Sequence, residues 1–223
     1  YKGVSRQAQD EWGVRSQNRA EAARDRGFFE REITPYTLPD GTVVSTDDGI
    51  RAGTTYDKVS QLNPVFRPDG TVTAGNACPL NDGAAAVVVM SATRAAELGI
   101  PPIAKIISSG VSSLSPEIMG LGPIDAIRIA LGRANMTIDD IDLVDVYSCF
   151  PSAVQVAAHE LGLPVGDRSR PLTVTGGLTF AGGPWNNYVT HSIATMAEQL
   201  VAQPGRTGLI TANGGYLTKH SFG

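Results

Sequence analysis

Cysteine and histidine are scarce in this chain of 223 residues, which contains two cysteines and three histidines. Cys78 and Cys149 are too few for a disulfide scaffold and too far apart for a Cys-x-x-Cys motif. The scattered histidines add no metal-ligand spacing. No apolar run approaches the ~20 residues that a membrane helix needs. The composition therefore predicts a cytoplasmic protein with no membrane segment, no metal and no bound cofactor.

Strong charge of one sign is also absent, since 18 Lys and Arg stand against 22 Asp and Glu and the net charge is -4. This balance gives no reason to expect nucleic acid as a partner. Nine of the 18 basic residues lie between Lys2 and Lys58, which leaves a sparsely charged remainder. A hydrophobic content of 42% is sufficient for a sizeable core.

The first hundred residues combine helices, loops and one apolar run. Ser5 is placed to cap a helix that runs to about Arg26 and ends at Gly27. Residues 33–75 are rich in Pro, Gly, Thr and Asp, and they predict loops with short extended pieces. The apolar run at 84–90 predicts a strand covered on both faces, and Ser91 then caps a short helix.

After residue 100 the sequence alternates between strand and helix patterns. Strands are predicted at 104–109, 143–147, 172–175 and 208–213. Helices are predicted to begin at Pro123, at Pro151 and after a glycine-rich loop. The residues expected to face inward on the last of these helices are Val189, Ile193, Met196 and Leu200. Such alternation indicates an α/β fold with helices on both faces of a mixed sheet.

Reactive groups of open α/β folds gather in the loops after the strands, and the first such loop spans residues 145–151. It places Tyr147, Ser148 and Cys149 between a strand end and a helix N-terminus, which lowers a thiol's pKa and favours negative charge. Alternatively, Cys149 is a small buried core residue and Tyr147 is a packed ring.

Two further loops carry glycine beside polar residues. In the loop 176–187, glycines allow backbone N–H groups to approach a ligand, and the following helix N-terminus suits an anion or a polarised carbonyl. A tight strand-to-helix turn explains the same residues. In the third loop Asn213 precedes two glycines, where its amide is placed to bind a carbonyl oxygen, although Asn-Gly also favours a plain hairpin.

The segment Gly75-Asn76-Ala77-Cys78-Pro79-Leu80-Asn81-Asp82-Gly83, hereafter the signature turn, joins tight-turn residues to the apolar run at 84–90. With Thr71-Val72-Thr73-Ala74 before it, this segment closely resembles the mid-chain signature of the thiolase superfamily. The three loops occur in the same order and at similar spacing as thiolase catalytic motifs. The resemblance covers essentially the whole chain and is greatest to sterol-carrier-protein-type and degenerate thiolase-like members.

The resemblance implies a thiolase-like αβαβα layered fold, with a mixed five-stranded sheet in each of two similar halves. In this chain it implies the end of the loop domain at residues 1–75. The last strand and helix of the N-terminal half would lie at 76–100. The C-terminal half, incomplete and lacking its final strand, would lie at 101–223.

Three thiolase motifs are altered at the matching positions. An Asn-Glu-Ala-Phe or His-Asp-Cys-Phe motif is replaced by Tyr147-Ser148-Cys149-Phe150. A Gly-His-Pro motif is replaced by Gly182-Gly183-Pro184, and a Cys-x-Gly motif by Asn213-Gly214-Gly215. By resemblance the candidate catalytic residues are Tyr147, Cys149 and Asn213, while the activating imidazole and the second cysteine are lost.

Coenzyme A contacts are implied at five positions: Arg51, Cys78, Phe150, Gly182 and Gly183. Phe150 would lie near the pantetheine end. The basic face of the first helix, formed by Trp12, Arg15, Arg19 and Arg26, is either a solvated surface or an additional contact to phosphates.

The function implied is that of an acetyl-CoA acetyltransferase-like protein of lipid metabolism that binds coenzyme A or an acyl-CoA as substrate, as a homodimer. One alternative is a retro-aldol carbon–carbon lyase that acts on an acyl-CoA with an OB-fold partner. This lyase would use Tyr147, with Tyr188 as a candidate second acid or base. The other alternative is a non-catalytic acyl-CoA or lipid binder.

Overall fold

The computed structural model describes residues 2–178, 183–214 and 221–222. Its helices are α1 (Arg6–Asp25), α2 (Tyr56–Ser60), α3 (Ala92–Glu97), α4 (Gly122–Ala134), α5 (Pro151–Leu161) and α6 (Asn187–Ala202). Its strands are β1 (Tyr36–Thr37), β2 (Val43–Val44), β3 (Val111–Ser112), β4 (Leu143–Asp145), β5 (Gly208–Ile210) and β6 (Ser221–Phe222). Short 3₁₀ helices cover Phe28–Arg31, Pro116–Leu121 and Ile138–Asp140.

The predicted helix boundaries are confirmed where capping chemistry determines them. The Ser5 hydroxyl accepts a hydrogen bond from the Ala8 N–H, and Gly27 adopts a left-handed backbone at φ 76° just after α1. Pro123 lies in the first turn of α4, where its missing N–H costs nothing. Pro151 is likewise the first residue of α5, and Gly162, at φ 72°, ends that helix.

The described strands form three two-stranded sheets. β1 pairs antiparallel with β2, β3 pairs antiparallel with β6, and β4 pairs parallel with β5. The predicted strand at 172–175 is not a regular strand, yet the Leu172 carbonyl accepts from the Val146 N–H at 2.9 Å. Residue 172 thus extends the parallel β4–β5 pair on the other side of β4, while the antiparallel pairs belong to separate sheets. The predicted mixed sheet is not formed by the described strands.

The main core is apolar and lies where α4 and α5 pack on the β4–β5 pair. Ile127, Val144, Val154 and Ala158 are almost completely shielded from solvent there. Trp12 extends from α1 to the edge of the same cluster. This core fixes the end of β4, which leads directly into the loop at 145–151.

Two more predicted strands are wrong as regular elements. Residues 84–90 and 104–109 belong to no described sheet, and Val88 and Ile106 are 85% and 70% exposed. An apolar run becomes a buried strand only where a neighbouring segment forms hydrogen bonds with its backbone and other elements cover its two faces. No described segment does this for either run.

The buried face of α6 also differs from the predicted one. Tyr188, Ser192 and Met196 face inward, while Ile193 is 39% exposed. Hydrophobicity alone favours burial of Ile193. The hydrogen bonds of Tyr188 and Ser192 to buried Asp145 instead turn the helix face that carries these two residues inward. The inner face of α6 is therefore partly polar.

The signature turn is attached to α1 by a buried polar contact. The Asn76 side chain donates to Asp10 at 2.8 Å and to the Thr71 carbonyl at 2.9 Å, and it accepts from the Thr73 N–H. Asp10 is also paired with Arg6 at 2.7 Å. A Cβ on Gly13 would lie 2.1 Å from the Gly75 carbonyl oxygen, so only glycine permits this approach.

Candidate functional site

A buried carboxylate organises the loops that follow β4. Asp145 is completely shielded, and its side chain accepts hydrogen bonds from five groups. These donors are the Thr173 hydroxyl at 2.5 Å, the Val174 N–H at 3.1 Å, the Thr175 hydroxyl at 3.4 Å, the Tyr188 phenol at 2.9 Å and the Ser192 hydroxyl at 2.5 Å. The described residues provide no ion pair to Asp145, so hydrogen bonds alone compensate its burial.

The Asp145 network extends to Tyr147 through a ring contact. Tyr188 is 0% exposed, and its phenol also pairs with the Thr175 hydroxyl at 2.9 Å. Its ring meets the Tyr147 ring edge-on, with centroids 5.5 Å apart. Tyr188 is therefore wrong as a second acid or base that touches substrate, because burial and the bonds to Asp145 fix its hydroxyl inside the core. It positions Tyr147 instead.

Tyr147 is partly buried and lies within electrostatic range of both cysteines of the chain. Burial raises the pKa of the Tyr147 phenol well above its ordinary value, and Cys149 and then Cys78 raise it further. Burial, followed by Cys78, raises the pKa of the Cys149 thiol to about 12. Burial also raises the pKa of Cys78. All three groups are neutral at physiological pH, so the predicted activation of Cys149 by the helix N-terminus is wrong.

Gly183 packs against Pro79 and Cys78 and has no room for a side chain. Its backbone is left-handed, at φ 70°. A Cβ there would lie 2.2 Å from the Pro79 carbonyl oxygen and 3.3 Å from the Cys78 sulfur. The loop therefore packs its backbone directly against the signature turn, at the position where thiolases carry an activating histidine.

We expect Gly183→Ala to lower the free energy of unfolding by about 3 kcal/mol, combining left-handed strain with a backbone collision. Gly162→Ala is a matched control, since Gly162 has φ 72° and open space around its missing Cβ. It should cost only about 1 kcal/mol. Urea denaturation of both variants measures the difference. Equal losses of unfolding free energy would show that Pro79 and Cys78 move aside at little cost.

Some of the remaining predicted site residues lie beside Tyr147, and others lie elsewhere in the structure. Asn213 and Tyr147 line the same small crevice beside α4. Phe150 is partly buried at the start of α5. Arg51 lies exposed on a separate loop, where its N–H binds Gln17 of α1 and its guanidinium binds a carbonyl. Gly182 lies outside the described residues.

The basic face of α1 borders a second cleft, on the Ser148 side of the 145–151 loop. The Arg15 guanidinium stacks 3.9 Å from the centre of the Trp12 ring and donates to the Val165 carbonyl. Arg19, Ser148 and Gly177 also line this cleft. The face is thus partly covered by the second half of the chain, rather than fully solvated.

Sequence reasoning missed Asp145, the residue with the most hydrogen bonds in the site. The available signal was a carboxylate inside the apolar strand sequence Leu143-Val144-Asp145-Val146. A charge there requires buried donors, which the threonines at 173 and 175 supply. Within the described ranges, no group of three or more His, Cys, Asp or Glu is arranged to hold a metal ion.

Family models match nearly the whole chain. The model of the thiolase N-terminal domain matches residues 1–93, and that of the thiolase C-terminal domain matches residues 100–219. The chain belongs to the thiolase family. Its similarity to solved thiolases at TM-scores up to 0.84 confirms the predicted thiolase-like α/β fold.

Relatives and solved structures agree with this assignment. The chain is 41% identical over 211 residues to an acetyl-CoA acetyltransferase of Cupriavidus necator, covering 93% of this chain and 53% of that protein. It is 32% identical, with a TM-score of 0.84, to human mitochondrial 3-ketoacyl-CoA thiolase in complex with CoA, covering 98% of this chain and 54% of the other. It is 31% identical, with a TM-score of 0.83, to the dimeric peroxisomal thiolase of Saccharomyces cerevisiae, covering 98% of this chain and 54% of the other.

The thiolase chain described here spans about half the length of the curated relatives it matches. None of the helices in its described part has the length and apolarity needed to cross a membrane. The predicted division at residues 75 and 100 remains a prediction.

Proposed function

We propose that this thiolase-family chain binds an acyl-CoA with its pantetheine end between the signature turn and the 147–150 loop. Tyr147 would donate a hydrogen bond or a proton to the acyl group. The observation that carries the proposal is the neutral, partly buried Tyr147 phenol, which lies within electrostatic range of Cys149 and Cys78. A phenol whose pKa is raised stays protonated at physiological pH and therefore remains a hydrogen-bond donor, and it transfers its proton only to a strongly basic group such as a developing enolate.

The proposed chemistry departs from acyl transfer through activated thiols. Both described cysteines are neutral, and Gly183 leaves no space for an imidazole that would deprotonate them. We therefore propose an acetyl-CoA acetyltransferase-like protein in which this part of the site orients and protonates the substrate. The predicted roles of Asn213 and Phe150 remain part of this proposal.

A second candidate is a retro-aldol lyase that acts on an acyl-CoA. It is favoured by the neutral phenol, because the enolate released by carbon–carbon cleavage needs a proton donor. This candidate includes an OB-fold partner protein, whereas the first requires none. The third candidate, a non-catalytic acyl-CoA binder, has the same binding site and no turnover.

The cellular setting proposed is lipid metabolism in the cytoplasm, as a homodimer. The free thiols of Cys78 and Cys149 support a reducing compartment. The dimeric yeast thiolase supports a dimer for this chain.

Calorimetric titration with CoA tests the proposed binding site. Arg51→Ala should weaken CoA binding about fivefold, since an exposed arginine contributes roughly 1 kcal/mol to a phosphate contact. Arg128→Ala is the control, because Arg128 is an exposed arginine of α4 that pairs with Asp125. Absence of saturable CoA binding would contradict the proposal, and equal weakening in both variants would indicate non-specific charge attraction.

A further inference from the structure

The fold brings the two cysteines together from distant parts of the sequence. The Cys78 N–H donates to the Cys149 carbonyl at 3.0 Å. Two residues joined by a backbone hydrogen bond are near neighbours, and a disulfide requires Cα atoms about 4.4–6.8 Å apart. The hydrogen bond therefore brings the two cysteine backbones close to the spacing of a disulfide.

The side chains give further support. The Cys78 sulfur lies beside Gly183, since a Cβ there would lie 3.3 Å from it. Both thiols raise the pKa of Tyr147, and Cys78 raises that of Cys149, as groups that lie near one another do. Both cysteines are free and partly exposed.

We propose that Cys78 and Cys149 form a reversible dithiol–disulfide site that reacts with low-molecular-weight disulfides, such as glutathione disulfide. The inference goes beyond the acyl-CoA proposal and does not depend on it. The site would be reduced in a reducing compartment and oxidised when the ratio of disulfide to thiol rises.

The reaction balances without any other oxidant. The Cys78 thiolate attacks one sulfur of glutathione disulfide, which forms a mixed disulfide and releases one glutathione thiolate. Cys149 then loses its proton to solvent and attacks the Cys78 sulfur. This step forms the Cys78–Cys149 bond and releases the second glutathione. Two protein thiols are oxidised by two electrons, and one glutathione disulfide is reduced to two thiols.

Burial makes the reaction slow at neutral pH. Because the pKa values of both thiols are raised, little thiolate is present there. The rate should rise about tenfold from pH 7 to pH 8, as the thiolate fraction does. Equilibrium measurements are therefore the sharper test, since they do not depend on the thiolate fraction of the starting state.

The chain should be equilibrated in glutathione buffers of graded ratio, in native solution and in concentrated urea, with free thiols then blocked by alkylation. Mass spectrometry should find an intramolecular Cys78–Cys149 disulfide. We expect the native chain to reach half-oxidation at a ratio of oxidised to reduced glutathione at least tenfold lower than the unfolded chain. Cys78→Ser and Cys149→Ser should each abolish the disulfide and leave at most one bound glutathione.

Three results would overturn the proposal. The first is half-oxidation of native and unfolded chains at the same ratio, which would mean that the fold does not favour the bond. The second is accumulation of a stable mixed disulfide on Cys78 that Cys149 does not resolve. The third is formation of intermolecular disulfides only, visible as dimers on a non-reducing gel. Because the wild-type chain carries the decisive comparison, the test remains valid even if a serine variant folds poorly.

Discussion

Replacing Tyr147 with phenylalanine is expected to lower acyl-CoA turnover by about two to four orders of magnitude, the usual contribution of a positioned proton donor. The affinity for CoA should remain unchanged, because the phenyl ring keeps the edge-on contact with Tyr188. Steady-state kinetics with acetoacetyl-CoA, and with a 3-hydroxyacyl-CoA for the lyase candidate, together with CoA titration, separate these effects. Unchanged turnover in the variant would exclude Tyr147 as the donor.

The pH profile provides an independent check on the role of Tyr147. A proton donor works below its pKa, and burial raises that of Tyr147 above the ordinary value of about 10. Ionisation of the phenol should therefore cause no loss of activity up to about pH 10. A decline centred near neutral pH would assign the donor to another group. Tyr188→Phe is a comparison variant. It removes a hydrogen bond to Asp145 and, unlike Tyr147→Phe, should also lower the free energy of unfolding.

Asp145→Ala should lower the free energy of unfolding by about 3–5 kcal/mol. Its removal leaves the Tyr188 phenol, the Ser192 hydroxyl and the Val174 N–H without their common acceptor inside the core. Each orphaned buried donor costs roughly 1–3 kcal/mol, although neighbours relax and the losses are not additive. Thermal and urea denaturation measure the effect.

Two further variants serve as controls for Asp145→Ala. Asp139→Ala removes a carboxylate that is 89% exposed, and should change stability by less than about 0.5 kcal/mol. Asp145→Asn retains one acceptor oxygen and a similar volume, so its loss should lie between the two. If Asp145→Ala were as mild as Asp139→Ala, the hydrogen-bond network would contribute little to folding.

Local chemistry explains why the helices were predicted more accurately than the strands. Ser5, Pro123, Pro151 and Gly162 act through their own backbone neighbourhoods, so the sequence near each one contains the whole signal. A strand at 84–90 or 104–109 requires a partner at a distance, and hydrophobicity alone says nothing about where that partner is. The apolar runs exist in the sequence, but the burial and the pairing expected from them are absent from the described residues.

The candidate site shows the same division between local and distant information. The loop motifs identify Tyr147, Cys78 and Gly183 as candidates; the structure packs Gly183 against Cys78 and places Cys78 within electrostatic range of Tyr147. The neutral state of the thiols was not predictable, because it depends on burial by segments far away in sequence. The fixed position of Tyr188 depends likewise on Asp145, some forty residues before it.

The contact of Gly13 with the Gly75 carbonyl sets the axial position of α1 as a mechanical stop does. Sliding or rotating the helix by a single residue would bring a side chain onto that carbonyl and move Asp10 away from Asn76. Among the described residues, the chain that connects Gly13 to Gly75 has no comparable contact in its hairpin region around β1 and β2. When a flexible loop is lengthened, the entropic cost of closing it grows only with the logarithm of its length. We therefore expect insertions and deletions to be tolerated best in the hairpin region around β1 and β2. Within the first two turns of α1, one added residue would shift the helix out of phase with the turn it holds.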